Sequence, residues 1–130
     1  MNKPGLIYLA NPYSSPDPDV RERRWDAACE AAADLMRQGH LVFSPIAHTH
    51  PIAQYGLAPN DGKFWKKQDA PIMDVCDSLA VLTLRGWRRS VGVQAEIAAF
   101  KAAGKPIDYC RLVTHADKPW RVLRKVYPND

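Results

Sequence analysis

Two carboxylates stand where chemistry would need them. If residues 90–103 form a helix, Val93, Glu96, Ile97 and Phe100 recur at i, i+3, i+4 and i+7, so Glu96 shares an apolar stripe while Lys101 lies nearly opposite. Burying a carboxylate is costly unless the group is paired or used. Asp69 follows Trp65 by four residues and precedes Cys76 by seven, which sets it on the same kind of inward face. Two carboxyl groups in unlike surroundings suit glycosyl transfer, one attacking an anomeric carbon and the other managing the leaving group's proton. Tyr8, near the end of Leu6-Ile7-Tyr8-Leu9-Ala10, can donate its hydroxyl to a carboxylate. Each residue also has a plainer reading. Glu96 serves equally at the edge of the stripe, solvated or paired with an arginine. Asp69, two residues before Pro71, equally caps a helical segment whose first turn holds the proline. Tyr8 equally packs as a half-buried strand residue.

These side chains need elements to position them. Leu6–Ala10 reads as a first strand, followed by the proline-rich loop Asn11 to Asp17. A long helix is expected over Asp19 to Gln38, with Trp25, Ala28, Cys29, Ala32, Leu35 and Met36 inward and Gly39 as its stop. Leu41–Ser44 is the second strand. Pro45 to Asn60 reads as a long irregular loop, and such loops tend to be functional or mobile. Lys63 to Asp77 reads as helix interrupted at Pro71, Ser78–Leu84 as a strand covered on both faces, and Ile107–Cys110 as a fourth strand after Gly104-Lys105-Pro106. A final helix is expected over Asp117 to Val126. The βαβαβαβ rhythm implies a parallel sheet with right-handed crossovers. In such a sheet ligands bind beyond the carboxyl ends of the strands, where the N–H groups of the next helix favour anions, and that is where the start of the Glu96 helix falls.

The 130 residues suffice for one domain, 1–130, with a real core, and 46% apolar and 25% charged residues are usual for a soluble globular chain. No apolar run approaches a membrane span, and Met1-Asn2-Lys3-Pro4-Gly5 lacks the form of a signal peptide, so a cytoplasmic location is expected. Cys29, Cys76 and Cys110 are odd in number and widely spaced, which favours reduced thiols over a disulfide frame or a zinc site. A net charge of +4 suits an anionic small molecule as well as nucleic acid, and Arg21, Arg23 and Arg24 read as the solvated face of a helix. The basic, aromatic loop of Arg85, Trp87, Arg88 and Arg89 can hold a phosphate and stack a base, or can be a solvated loop anchored by one tryptophan. His48 and His50 form an HxH pair that suggests metal, but no third ligand is spaced to join them, so they read as pocket-lining or exposed loop residues.

Taken together, Ile7-Tyr8-Leu9-Ala10, the Asp69-to-Asp77 segment and Ser90-Val91-Gly92-Val93-Gln94-Ala95-Glu96-Ile97 before Gly104-Lys105-Pro106-Ile107 resemble the nucleoside 2-deoxyribosyltransferase superfamily, which includes the deoxyribonucleoside 5′-monophosphate N-glycosidases. The chain is similar also to a small group of bacterial and phage proteins placed beside that superfamily. The resemblance implies a three-layer α/β/α sandwich with a flavodoxin-like or Rossmann-like parallel sheet of four to five strands. It makes Glu96 the nucleophile, sets Asp69 by the base and has Tyr8 orient Glu96. Ser90 stands where transferases acting on free nucleosides have an aspartate and the monophosphate hydrolases a serine, and with Arg88 or Arg89 it tilts the expectation to a 5′-phosphorylated substrate. Asn11, Gly92, Trp87 and His48 complete the expected substrate contacts. Two departures stand out: Gln94 replaces a small residue, and Asn11-Pro12-Tyr13-Ser14-Ser15 lacks the hydrolases' glycine-rich loop. The resemblance implies no cofactor or metal, a small-molecule nucleotide or nucleoside as partner rather than a nucleic-acid polymer or membrane, and a homodimer or homotetramer whose sites a neighbouring subunit completes. A deoxyribosyltransferase and a non-catalytic nucleotide-binding protein of the same fold are the alternatives.

Overall fold

Alternation along the two central strands decides how the layers are built. In a computed structural model that describes residues 5–128, β1 (Leu6–Ala10) points Tyr8 and Ala10 to one side of the sheet and Leu9 to the other, and β3 (Ser78–Leu82) splits Leu79 and Val81 from Ala80 and Leu82 in the same way. Tyr8, Ala10, Leu79 and Val81 join Cys76, Val93 and Phe100 in one core cluster, whereas Leu9, Ala80 and Leu82 join Ala27, Ala31, Ala32 and Cys110 in the second. The first cluster lies under α3 (Gly62–Val75) and α4 (Val91–Ala102), the second under α1 (Pro18–Arg37), so helices cover both faces in three layers.

The strand order is β2-β1-β3-β4-β5, with β2 spanning Leu41–Phe43, β4 Ile107–Val113 and β5 Val122–Val126. The first four strands are mutually parallel, and their register places Tyr8 beside Phe43 and Leu79. This is the flavodoxin-like order, whose switch point lies between β1 and β3. The fifth strand departs from the parallel expectation, because β5 returns antiparallel to β4, with Tyr109 opposite Val126 and Val113 opposite Val122.

Four local expectations are corrected. The segment from Asp117 to Val126 is not a helix. β-branched Val122 and Val126 instead complete the sheet by pairing with β4, while the buried Asp34 carboxylate of α1 accepts from Leu123 N at 2.9 Å. The stretch after β2 is not irregular throughout: Ser44 accepts from Ala47 N at 3.1 Å and Pro45 occupies the first turn, so the cap and proline start a helix, α2 (Pro45–Ala53), which then carries Pro51 within it. The third helix is not interrupted at Pro71 but runs unbroken through it, capped at Asp61, whose side chain accepts from Phe64 N at 3.2 Å. Asp69 therefore sits inside a helix and caps nothing. Along α1 the inner face is shifted from that expected, since Ala27, Ala28, Ala31, Ala32 and Asp34 are buried while Met36 is 54% exposed.

Candidate active site

At the carboxyl ends of β1 and β3, the switch point of the sheet, a cleft of about 1110 Å³ opens. β1 supplies Tyr8 from its buried end and Asn11 just beyond it, α3 supplies Asp69, and α4 supplies Ser90 at its cap and Glu96 one and a half turns in. Three sequentially distant elements thus bring Tyr8, Asn11, Asp69, Ser90 and Glu96 into one cavity, with Gly92 and Arg89 on its lining. The start of α4 is well formed, for Ser90 Oγ accepts from Val93 N at 3.2 Å and leaves its own proton free to donate outward. A Cβ at Gly92 would meet nothing nearer than Ser90 Oγ at 4.0 Å, so the missing side chain keeps the helix start open to the cleft.

Glu96 faces the cleft but is otherwise surrounded by protein. Burial pushes its carboxyl up to about 7, the Tyr8 hydroxyl opposes that rise as a donor, and the Asp69 charge adds to it. Burial likewise pushes Asp69 up to about 6, against the pull of His48. Tyr8 has the opposite character: its desolvated phenol beside the Glu96 and Asp69 charges is held far above its ordinary range and stays protonated. Its ring is locked between Phe43 and Phe100, with centroids at 6.0 and 5.7 Å. The hydroxyl approaches Glu96 without completing a well-formed hydrogen bond inside the protein, and among the described residues Asn11 Oδ1 is the other buried side-chain polar atom in this state. Two such atoms in one cleft are unusual, since buried polar groups are nearly always satisfied. The arrangement offers one carboxylate that can attack, a second that can carry a proton, and a neutral donor to steady the first.

Other expected contacts lie elsewhere. Trp87 packs on Tyr109 at 5.5 Å and carries Arg88 over its ring at 4.5 Å, and neither lines the cleft. Gln94 is also turned away, donating to Trp87 O at 3.2 Å, so it ties down the 3₁₀ turn before α4 instead of crowding the cavity. His48 stands exposed on α2 against Phe43, outside the lining but within electrostatic reach of Asp69. Its neighbour His50 is buried, stacked on Trp25 at 4.9 Å and held between Tyr13 at 2.6 Å and Glu22 at 2.7 Å. The two imidazoles therefore part company, and no group of three His, Cys, Asp or Glu side chains among the described residues could hold a metal ion. Cys29, Cys76 and Cys110 are free thiols. No helix among the described residues is long and apolar enough to cross a membrane.

Among the cleft residues not anticipated from the sequence, one carries a charge between two loops. Arg24, read as part of a solvated face, lines the cavity and donates to Ser14 O at 3.0 Å. The signal was available: Arg24 precedes Ala28 by four residues and Ala31 by seven, on the stripe that α1 buries.

Fold and site together define an open-sheet α/β protein with a carboxylate-bearing crevice at its topological switch point. More particularly, residues 5–111 match the family described as a domain of unknown function, DUF1937, and the chain belongs to that family. The matched span holds every cleft residue named above and ends before β5. No curated protein matches the chain.

Proposed function

We propose that the protein is an N-glycosidase that cleaves the N-glycosidic bond of a nucleoside 5′-monophosphate through a covalent glycosyl ester on Glu96. The observation that carries this reading is the convergence of Glu96, Asp69 and Tyr8 beside the Ser90 cap of α4. A Glu96 carboxylate oxygen attacks C1′ as the C1′–N bond breaks, and the electron pair leaves on the base nitrogen, which takes the proton held by Asp69. Water then attacks C1′ of the ester, gives its proton to Asp69 and releases the 5-phosphosugar with Glu96 restored. Tyr8 donates toward the Glu96 carboxylate and keeps the oxygen lone pair aimed at the sugar. The phosphate sits over the start of α4, where the Ser90 hydroxyl, exposed backbone N–H groups and Arg89 favour an anion. No cofactor enters these steps. The reading includes a homodimer or homotetramer in which a neighbouring copy covers the open side of the cleft.

Release of free base from a panel of nucleoside monophosphates, with Glu96→Ala as control, tests the reading. Base release by wild type and its loss in the variant are expected. Equal release by both, or by neither, overturns it. Base exchange between nucleosides without net hydrolysis would move the activity to a deoxyribosyltransferase.

A further inference from the structure

Arg24 lies where the loops after β1 and β3 approach each other. Its Nη1 donates to Ser14 O at 3.0 Å on the first loop, and its Nη2 reaches Arg85 O at 3.5 Å on the second. The backbone beneath it is held too, since Asn11 Nδ2 donates to Pro12 O at 3.0 Å and to Arg24 O at 3.4 Å. The guanidinium is thus strapped across the switch-point crevice, half-buried, with neutral carbonyls as its hydrogen-bond partners. No carboxylate forms an ion pair with it among the described residues, although a charge taken out of water ordinarily needs one. Two of its five N–H donors are spent on these carbonyls, which leaves others available on the fork. Burial lowers its pKa, as expected for a cation that has lost water without gaining an anion.

A second unpaired group lies in the same cavity. Asn11 is 4% exposed, its amide N–H groups are committed to the two carbonyls, and its Oδ1 has no donor. An unpaired cation and an unpaired acceptor in one crevice complement a ligand that carries both an anion and a hydroxyl. A sugar phosphate has this pairing. The geometry points to Arg24 as the residue that selects a phosphorylated sugar over the uncharged one, its guanidinium engaging the phosphate while Asn11 Oδ1 accepts from a sugar hydroxyl. This rests on the reading of the cleft as a nucleotide site and adds the determinant of phosphate selection. Because the fork is already pinned by Ser14 and Arg85, little side-chain freedom is lost when the anion arrives. Arg89, exposed on the cleft lining, adds a solvent-screened charge that favours the same anion without fixing its position.

The test is equilibrium binding by calorimetry in a full-length Glu96→Gln background, comparing nucleoside 5′-monophosphates with their nucleosides. With Arg24 present, the monophosphate is expected to bind at least about tenfold tighter than the nucleoside, as charge-assisted hydrogen bonds require. Arg24→Gln should erase that preference and leave nucleoside affinity within about twofold, and inorganic phosphate should compete with the monophosphate only in the Arg24 protein. Should Arg24→Gln fail to fold, Arg24→Lys keeps the charge but loses the fork and should retain only part of the preference. Retention of the full preference by a folded Arg24→Gln or Arg24→Lys protein, or its absence from the parent, overturns the inference. Base release in wild type is scored separately: Arg24-dependent phosphate binding without any base release would sink the glycosidase reading and leave this one standing.

Discussion

At the residue scale, the unusual feature is that the two carboxyls are tuned to neighbouring values. The reaction needs Glu96 ionised and Asp69 protonated, whereas Glu96 is pushed up to about 7 and Asp69 to about 6. Because Asp69 is itself one cause of the rise at Glu96, the pair holds a single proton between these values, shared between two sites. The competent arrangement is one of its two singly protonated forms. The pH dependence of kcat/KM should therefore be bell-shaped, with limbs near 6 and 7, and Asp69→Asn should abolish the bell and leave one ionisation, that of Glu96, shifted downward because a neighbouring charge is gone. A flat profile between pH 5 and 8 would contradict the assignment. Tyr8→Phe separates positioning from packing. The ring contacts with Phe43 and Phe100 survive and a poorly satisfied hydroxyl is removed, so melting temperature should hold or rise slightly. The bond to ionised Glu96 tightens only once substrate is bound, and since hydrogen bonds to charged groups contribute about 1.5–3 kcal/mol its loss should lower kcat about 10- to 100-fold and move the Glu96 limb upward.

At the element scale, Ser90 has two duties that one substitution can part. It caps α4 through Val93 N, and it offers a hydroxyl to the phosphate. Ser90→Asp keeps the cap, because aspartate is as good an N-cap as serine, but places a carboxylate where the anion sits. Stability should change by less than about 0.5 kcal/mol while KM for a nucleoside monophosphate rises about tenfold or more and affinity for the nucleoside is unchanged. Unchanged KM for the monophosphate would remove the phosphate from the start of α4. What the sequence made legible follows the same division. Period-3.6 spacing located the α4 stripe and hence Glu96, and an unbroken apolar run located β3, because both signals are local. The α2 helix was hidden by Pro51, and α3 was read as broken, because a proline inside a helix is tolerated only when tertiary packing overrides propensity. The direction of β5 was not legible at all. It is set by pairing with β4 and by the buried Asp34 carboxylate 89 positions away, and no window around Val122–Val126 contains either. Arg24 was misread for a related reason: a stripe of alanines is a faint hydrophobic signal, so the arginine at its end looked solvent-facing.

At the scale of the whole molecule, the cleft opposes the stability of the fold that builds it. A carboxyl whose native pKa lies above its unfolded value binds more protons when folded, so stability falls as pH rises from the unfolded value toward the native one. For Glu96 that window runs from the ordinary carboxyl value of 4.5 to about 7, and for Asp69 from 3.8 to about 6. Both slopes have the same sign: the fold is favoured on the acid side of each window and pays for buried charge on the alkaline side. Glu96→Gln removes the charge with little change in shape. At pH 5 the variant and wild type should differ little, since Glu96 is largely neutral in the native state. By pH 8 the variant should be the more stable by an amount on the order of 2 kcal/mol, less than the full shift would give because the group opens on the cleft and draws some solvation from it. Thermal melts of the two proteins at pH 5, 6.5 and 8 measure the difference, and adding Asp69→Asn should flatten what slope remains below about 6. If the gap between Glu96→Gln and wild type does not widen with pH, Glu96 is not held as a desolvated carboxylate. A nucleophile freely solvated on the helix surface would then have to replace the buried one on which the chemistry depends.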